Sequence, residues 1–295
     1  MPITLKSALS ETLRQWKRDL DPAWRDALRE VEPDFDAVDE GLSHEPWEPI
    51  FPSRKDDVIP GAPEGAHIFR ALDGLPPERV RAVIIGQDPY PNVSWATGRA
   101  FEQGDLNSWP EGAGMISGSL RNIALALAAF RTGRDEYTAS AAGWGALTRD
   151  LQAGQLELHP PRALFDHWQW QGVLCLNAGL TLSRYERGGA PHQLRGHIPL
   201  WRPVVLAILQ AVAAREAGQV VFMLWGRVAR DFFVEGGIEQ AARDAGTWGE
   251  RVGMARHSHP TATAAGRPTF FNDPNPFADA NRVLVEDLGA DPVRW

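Results

Sequence analysis

The chain has 295 residues, of which 43% are hydrophobic and 23% are charged, and its formal net charge is −8 at pH 7. This composition is typical of a soluble globular protein and argues against wholesale coating of nucleic acid, although a local binding groove stays possible. No apolar run approaches the roughly 18 residues of a membrane span, and the N-terminus lacks a signal-peptide core. The single cysteine, Cys175, excludes an internal disulfide, and we expect a cytoplasmic protein.

The first 80 residues combine helical segments with a long loop. Residues 1–49 are acidic and have a helical pattern, with Trp16 and Trp24 as apolar anchors. Residues 50–80 begin with the Pro/Gly-rich stretch IFPSRKDDVIPGAPEG and continue into a short predicted helix around 67–72. We therefore interpret residues 1–49 as a helical extension that packs on a single α/β domain covering residues 1–295.

Short apolar runs follow, and helical patterns separate them. The runs lie at 82–85, 173–176 and 220–224, with a weaker one at 251–255. Helical periodicity occurs at 120–130, 204–214 and 277–288, whereas the Gly/Pro-rich stretches 104–118 and 185–199 are predicted to be surface loops. Unbroken apolar strands that alternate with helices indicate an α/β fold, with a central four-stranded parallel sheet flanked by helices on both faces.

Residues with polar or aromatic side chains follow each predicted strand. The first strand leads into Gln87 and Asp88, the second into Asn177, the third into Trp225-Gly226-Arg227, and the fourth into His257-Ser258-His259-Pro260. In an open parallel sheet, ligands bind outside the carboxyl ends of the strands. The four strand ends therefore predict one crevice that contains an acid, a carboxamide, an aromatic–glycine turn and a histidine.

Each of these residues also has a structural explanation when it is considered alone. Asp88 could cap a turn, Asn177 could bind backbone at a strand end, and a loop histidine is more often structural than catalytic. The sequence contains no phosphate-binding loop, nucleophile elbow or helical metal-ligand pair. His192 and His197 have no obvious third ligand, so we do not predict a metal site there.

Six motifs occur in order along the chain: GQDPYP at 86–91, GRAF at 98–101, SLRNI at 119–123, GVLCLNAGLT at 172–181, VVFMLWG at 220–226, and the pattern HP…FF…PF..AN from His259 to Asn281. Together they resemble the signature of the uracil-DNA glycosylases of the uracil-N-glycosylase family. The resemblance extends from about Trp16 to Asn281. It implies the uracil-DNA glycosylase fold and a role in base excision repair.

The resemblance implies that uracil is flipped out of DNA into a pocket whose residues recognise it. Phe101 would stack on the flipped ring. The amide of Asn177 would donate to uracil O4 and accept from N3–H, a pattern that cytosine mismatches at both atoms. Tyr90, which two prolines flank, would stand against C5 and exclude the methyl group of thymine. Gln87, or its backbone, would hold the O2 side.

The implied chemistry is hydrolysis of the N-glycosidic bond. Asp88 would stabilise the sugar cation and position or activate the attacking water, and a histidine would donate to O2 as the uracil anion forms. Alignment of the His-Pro dipeptides makes that histidine His259, and the alternative register makes it His257. The spacing to Phe270-Phe271 and the stiff His-Pro turn favour His259. No lysine in the motifs can form a Schiff base, so the implied enzyme is monofunctional, leaves an abasic site, and needs no metal or organic cofactor.

The resemblance also implies that loops bind the DNA backbone. Hydroxyl and backbone N–H groups for phosphates are expected from Ser119, Ser258, Thr261 and Thr263, and guanidinium groups from Arg99, Arg227 and Arg267. The implied partner is uracil-containing DNA, single- or double-stranded. We expect a monomer with no membrane partner, located in the cytoplasm and associated with the nucleoid if the source is bacterial.

The sequence departs from the family pattern at Pro91, in the 104–118 loop, which lacks the family's proline run, and in the last motif, HSHPTATA. The family usually has His after GQDPY, whereas this chain has Pro91, which lacks a side-chain donor and a backbone N–H. The leucine that fills the gap left by the flipped base becomes Thr263 or Thr261, depending on the register. A smaller, polar wedge predicts a preference for single-stranded or already weakened sites.

Three other interpretations stay open from the sequence. The chain could be a glycosylase of the same superfamily that acts on another damaged base. It could be a lesion-binding protein with little or no turnover. An unrelated α/β enzyme is the third, and the co-occurrence of the motifs argues against it.

Overall fold

The structure is a computed structural model that describes residues 3–109, 113–139, 142–186, 190–264, 267–272 and 274–295. Eight strands occur in these residues: β1 (Ile3–Thr4), β2 (Ser43–His44), β3 (Ala82–Gly86), β4 (Val173–Asn177), β5 (Val220–Trp225), β6 (Val252–His257), β7 (Thr263–Ala264) and β8 (Arg267–Pro268). The α-helices of the same residues are α1 (Leu5–Thr12), α2 (Pro22–Ala27), α3 (Gly118–Thr132), α4 (Glu136–Ala139), α5 (Gly143–Gln152), α6 (Pro161–Trp170), α7 (Ile198–Ala213), α8 (Gly226–Glu235), α9 (Ile238–Asp244) and α10 (Pro276–Arg282).

The central sheet contains the four strands that the apolar runs predict. Its order is β4-β3-β5-β6, and every neighbouring pair is parallel. All residues of β3, β4 and β5 are buried, which explains why these strands are continuous apolar runs without an alternating polar face. The predicted positions of the four strands and the parallel arrangement are confirmed.

Helices cover both faces of this sheet. Val83 and Ile85 of β3 belong to one buried cluster, which also contains Trp201 of α7. The alternate residues, Ala82 and Ile84, belong to a second cluster with Leu120 of α3. This division follows from the strand geometry, because successive side chains point to opposite faces. The predicted α/β fold class is therefore confirmed.

The N-terminal residues pack into the first of these clusters. Trp16 and Trp24 are both buried in it, and the Trp24 indole N–H donates to Leu75 O at 2.7 Å. Strand β1, which precedes α1, pairs with β2 in a small antiparallel sheet. Strands of two residues are too short to produce a periodic pattern, so the sequence did not predict this pair.

The segment before α7 differs from its prediction. Residues 185–199 are predicted to be a loop, but Gln193–His197 form a π-helical turn that continues directly into α7. Within the described chain, the continuous run Gln193–Ala213 is the one helix long and apolar enough to cross a membrane. Its most apolar stretch is 56% buried, and Trp201 and Leu209 lie in the core. The run is therefore the core helix on one face of the sheet.

Candidate active site

A pocket of about 300 Å³ lies at the carboxyl ends of β3 and β4. It contains the acid, the carboxamide and a histidine of the predicted crevice, whereas Trp225 and Arg227 of the third strand end line an adjoining pocket that shares Phe101 and His259. The side chains that the structure brings together around it include Gln87, Asp88, Tyr90, Phe101, Ser119, Asn177 and His259. The backbone pairing of β3 and β4 continues beyond the strands, because Gln87 O accepts a hydrogen bond from Gly179 N at 2.9 Å. One pocket therefore contains an acid, a carboxamide, aromatic rings and an imidazole.

Gly86 makes room for Asn177. The two residues are the last of β3 and β4 and lie side by side in register. A Cβ atom at position 86 would come 2.3 Å from Asn177 Oδ1 and 2.8 Å from the Cβ of Ala100. Glycine is therefore required for the amide to occupy its place at the pocket. Asn177 is only 3% exposed, so little water competes with a ligand for its amide.

Phe101 and His259 form an aromatic wall. Their ring centroids are 6.2 Å apart, and Trp225 packs against Phe101 at 5.7 Å. The φ angle of Phe101 is 65°, which is uncommon for a residue other than glycine and indicates that its surroundings hold it there. Gly226 also has a positive φ of 88°, and a Cβ atom on it would lie 2.7 Å from His259 Cβ. Glycine at 226 therefore allows the His259 loop to approach β5.

Tyr90 is fixed from two directions. Its hydroxyl lies 2.6 Å from Ser117 Oγ and donates to Phe101 O at 3.3 Å. Its ring meets Trp95 edge-on, with the centroids 5.6 Å apart. Burial raises the pKa of Tyr90 to about 12, and the hydrogen bond with Ser117 opposes that rise. Tyr90 is therefore a neutral, rigid side chain in the wall of the pocket.

Asp88 is a carboxylate in an environment that disfavours its charge. Burial raises its pKa to about 6, and a side-chain hydrogen bond from Gln193 opposes the rise. That bond joins Gln193 Nε2 to Asp88 Oδ2. At neutral pH most of the Asp88 population is still ionised, because the pKa lies below 7. The pocket thus holds a poorly solvated negative charge.

The two candidate histidines lie in different environments. His259 lines the pocket, whereas His257 is the last residue of β6 and its Nε2 lies 3.1 Å from Asp279 Oδ2 on α10. Burial lowers the pKa of both, and for His257 Asp279 opposes this effect. The backbone N–H of Thr261 donates to His259 Nδ1 at 3.2 Å. A neutral His259 therefore carries its proton on Nε2.

Of the four predicted DNA-binding residues, Ser119 lines the pocket, and Thr261 lies in the loop that carries His259. A Cβ atom on Gly118, the neighbour of Ser119, would lie 3.3 Å from Thr261 Cγ2, so the start of α3 contacts the His259 loop. Asn122 Nδ2 on α3 also donates to Pro260 O at 2.7 Å. Ser258 directly precedes His259, and Thr263 is an exposed residue in β7. Neither of these two is among the pocket-lining residues.

The three arginines predicted to bind phosphate differ in accessibility. The Arg99 side chain is only 9% exposed and its Nη1 is 2.7 Å from Asp166 Oδ1; Glu102 and Gln169 are its other partners. Arg99 is therefore a buried residue with protein partners. The sequence alone does not show how deeply an arginine is buried, so it could not indicate this.

Arg227 is 81% exposed, and its Nη1 lies 3.1 Å from Asp231 Oδ2. The side chain of Arg267 lies outside the described part of the structure.

The buried charges beside Phe101 lead to a stability prediction. Arg99→Met would leave the fully buried Glu102 carboxylate with Arg70 as its remaining cation, 3.9 Å away. We expect the variant to lose about 3 kcal/mol of unfolding free energy, because an uncompensated buried charge is costly. Urea denaturation measures this loss. Asp166→Asn is the matched control, since Asp166 is 59% exposed and should cost less than about 1 kcal/mol. Equal losses in both variants would contradict this account.

Sequence reasoning missed three residues of the site. The Gly/Pro-rich pattern of 185–199 predicts a loop at Gln193, whereas the residue begins the turn that leads into the long apolar helix α7. Its position just before that apolar stretch is the signal in the sequence that could have indicated a helical residue. Ser117 is the N-cap of α3, where its side chain accepts from Leu120 N, and a serine before a helical pattern is a recognisable cap. Tyr185 lines the pocket and is 48% exposed, but no pattern in the sequence indicated it.

The histidines considered for a metal site have protein partners. His192 Nδ1 and His197 Nε2 lie 3.0 and 2.9 Å from the same oxygen, Ser183 Oγ. Thr181 Oγ1 lies 2.8 Å from His197 Nδ1. Within the residues that the structure describes, no group of three or more His, Cys, Asp or Glu is placed to hold a metal ion.

Comparison with known proteins decides between the interpretations of this site. No protein-family model matches the chain. A uracil-DNA glycosylase from Lactobacillus delbrueckii subsp. bulgaricus is 32% identical over 233 residues, which are 79% of this chain and 79% of that protein. Another from Mycolicibacterium vanbaalenii is 30% identical over 288 residues, 96% of this chain and 98% of that protein. The chain belongs to the uracil-DNA glycosylase family.

Solved structures show the same fold. The crystal structure of mimivirus uracil-DNA glycosylase superimposes with a TM-score of 0.60 at 20% sequence identity, covering 95% of this chain and 88% of that one. The uracil-DNA glycosylase resemblance that the motifs predict is confirmed, and so is the corresponding fold. The individual roles of the site residues stay predictions.

Proposed function

We propose that this uracil-DNA glycosylase flips uracil out of DNA and hydrolyses its N-glycosidic bond, leaving an abasic site. The observation that carries the proposal is the convergence of Asp88, Phe101, Asn177 and His259 on one pocket. An enzyme that acts on a base must take it out of the helical stack. The pocket offers the flipped base an aromatic face, a directional amide and a charged group for the sugar.

Recognition of uracil would depend on Asn177 and Tyr90. The Asn177 amide can donate to uracil O4 and accept from N3–H, whereas cytosine has a donor at C4 and an unprotonated N3. A base site with fixed hydrogen-bonding groups rejects a mismatched ligand strongly, because the buried polar groups are left unpaired. Tyr90, held by Ser117 and Trp95, would exclude a methyl group at C5.

Cleavage would depend on the charges that develop as the bond breaks. The sugar becomes positive, and the ionised Asp88 would stabilise it and hold the attacking water. The leaving uracil becomes negative at O2, and the Nε2–H of neutral His259 would donate to that oxygen. The Nδ1 contact with Thr261 N fixes the tautomer that this step needs.

The products of the reaction test the proposal. The protein is incubated with a single-stranded oligonucleotide that contains one uracil, and free uracil, abasic sites and strand breaks are each counted. We expect equal numbers of uracil molecules and abasic sites, without strand breaks until alkali is added. Strand breaks that accumulate with the uracil would contradict a monofunctional enzyme, and absence of uracil release would contradict the proposed activity.

Removal of the Tyr90 ring should allow thymine into the pocket. We expect Tyr90→Gly to release thymine from a thymine-containing oligonucleotide at a measurable rate, because the wall against C5 is gone. The matched control is Tyr90→Phe, which keeps the ring and loses the hydroxyl contacts with Ser117 and Phe101 O, so it should release no thymine. Thymine release by both variants, or by neither, would show that the ring is not the barrier.

Single-stranded DNA is the proposed better substrate. The wedge position is Thr263 in the His259 register and Thr261 in the alternative register, and either threonine is small and polar where an apolar wedge would hold a duplex open. The unstacking of a base costs a few kcal/mol. We expect initial rates at least about fivefold higher on a single-stranded oligonucleotide than on the matched duplex. Thr263→Leu should reduce that ratio. A clear preference of the wild-type protein for duplex DNA would rule out this idea.

A further inference from the structure

Gln193 is a residue of the pocket to which neither the motifs nor the comparisons assign a role. We infer that Gln193 is the positioning residue for Asp88: its side-chain amide holds one carboxylate oxygen, so that the other is oriented toward the sugar and the attacking water. The inference rests on the proposed function, because it concerns the group that would act on the sugar. It adds to the proposed mechanism a residue that lies 105 positions from Asp88 in the chain.

The contact with Asp88 is specific. Gln193 Nε2 donates to Asp88 Oδ2, and both residues line the pocket. The other titratable or charged side chains of that pocket are Tyr90, Arg99, Glu102, Tyr185 and His259. Burial raises the pKa of Asp88, and the hydrogen bond from Gln193 opposes that rise. The bond from Gln193 therefore both contacts the carboxylate directly and favours its charged form.

The position of Gln193 is fixed by the turn that carries it. The turn is π-helical, a geometry that occurs frequently at functional sites. At its other end, His197 is buried between Thr181 Oγ1 and Ser183 Oγ, at 2.8 and 2.9 Å. Burial lowers the pKa of His197 to about 3, so the imidazole is neutral at physiological pH. Trp201 Nε1 of α7 donates to the same Thr181 Oγ1 at 2.7 Å, so the segment after β4 that holds His197 is itself bound to α7.

A neutral amide is suited to this task. A lysine or arginine at position 193 would form an ion pair with Asp88 and cancel much of the negative charge that the sugar cation needs. An amide N–H fixes the rotation of the carboxylate and leaves its full charge in place. Such support of a catalytic group by a hydrogen-bonding neighbour is a general requirement for precise geometry.

The test is a pH profile of uracil release by Gln193→Met, which keeps the length of the side chain and removes its donor. We expect the midpoint of the acid limb to move upward by about one pH unit, because the ionised carboxylate loses a hydrogen bond. The rate on the alkaline plateau should fall by about tenfold or more from misplacement of the carboxylate. Gln210→Met is the matched control, because Gln210 lies on α7 and donates to Gly236 O instead; its midpoint should equal that of wild type.

The possible results separate the inference from the proposed function. An unchanged midpoint in Gln193→Met, with uracil release by wild type, would overturn the positioning role and leave the activity intact. A slower variant with an unchanged midpoint would show a structural role only, and would also overturn it. Absence of uracil release by wild type would instead contradict the proposed function. Gln193→Leu, judged by the same midpoint, decides the question if the methionine variant yields no folded protein.

Discussion

Replacement of Asp88 with asparagine is expected to lower the rate of uracil release by about a thousandfold. The substitution preserves shape and can still accept a hydrogen bond from Gln193, so the fold and the pocket should survive. It removes the negative charge that would stabilise the sugar cation and hold the water. Single-turnover rates on a single-stranded uracil oligonucleotide measure the loss.

The control for this variant is Asp36→Asn. Asp36 makes an exposed contact with Lys6, and its side chain is 96% exposed, so the same chemical change there should leave the rate within about twofold of wild type. Because burial raises the pKa of Asp88 to about 6, wild-type activity should fall as the pH drops through 6 and the carboxylate takes up a proton. Asp88→Asn should lack that acid limb. An Asp88→Asn variant with near-wild-type rates would remove Asp88 from the mechanism.

The second large effect is expected at His259. His259→Gln should lower the rate of uracil release by about 100- to 1,000-fold, which is the usual cost of losing one donor to a developing oxyanion. Glutamine cannot reproduce the Nε2–H that Thr261 fixes through Nδ1. The same single-turnover assay measures the effect.

His257→Gln is the matched control, since it makes the same change two positions away. His257 is bound to Asp279 on α10 and does not line the pocket that His259 lines. We expect its rate to stay within about threefold of wild type, with some loss of thermal stability from the broken pair. An active His259→Gln beside an inactive His257→Gln would reverse the assignment and place the alternative register in the mechanism.

The sheet could be predicted because its strands are buried on both faces. Residues such as Val83 and Ile84 point in opposite directions and are both apolar, so β3 is an unbroken run that sequence reasoning detects. The two-residue strands β1 and β2 could not be predicted, because they depend on pairing between distant segments. The π-helical turn at Gln193 has a related explanation: the stretch 185–199 is rich in Gly and Pro and resembles a loop, whereas the contacts of His197 that anchor the turn are with the distant Thr181 and Ser183.

Much of the candidate site followed from one physical rule, which places ligands at the carboxyl ends of parallel strands. That rule predicts that Asp88, Asn177 and the segment 257–260 lie at one edge of the sheet, and the family resemblance then favours His259 over His257 in that segment. Tertiary packing determined the rest. Arg99 is buried against Asp166 rather than available to phosphate. Gln193 is distant in sequence from the Asp88 it contacts. Contacts such as these join residues that are far apart in the sequence, so no local sequence pattern indicates them.

The most direct test of the account is base release from three single-stranded oligonucleotides that differ only in one base: uracil, cytosine or thymine. Wild-type protein is mixed in excess with each at pH 7.5, and the free base is quantified over time. The account predicts release of uracil, and no release of cytosine or thymine above the rate without protein, because Asn177 and Tyr90 each reject one competitor. Release of all three bases at similar rates, or of none, would contradict it.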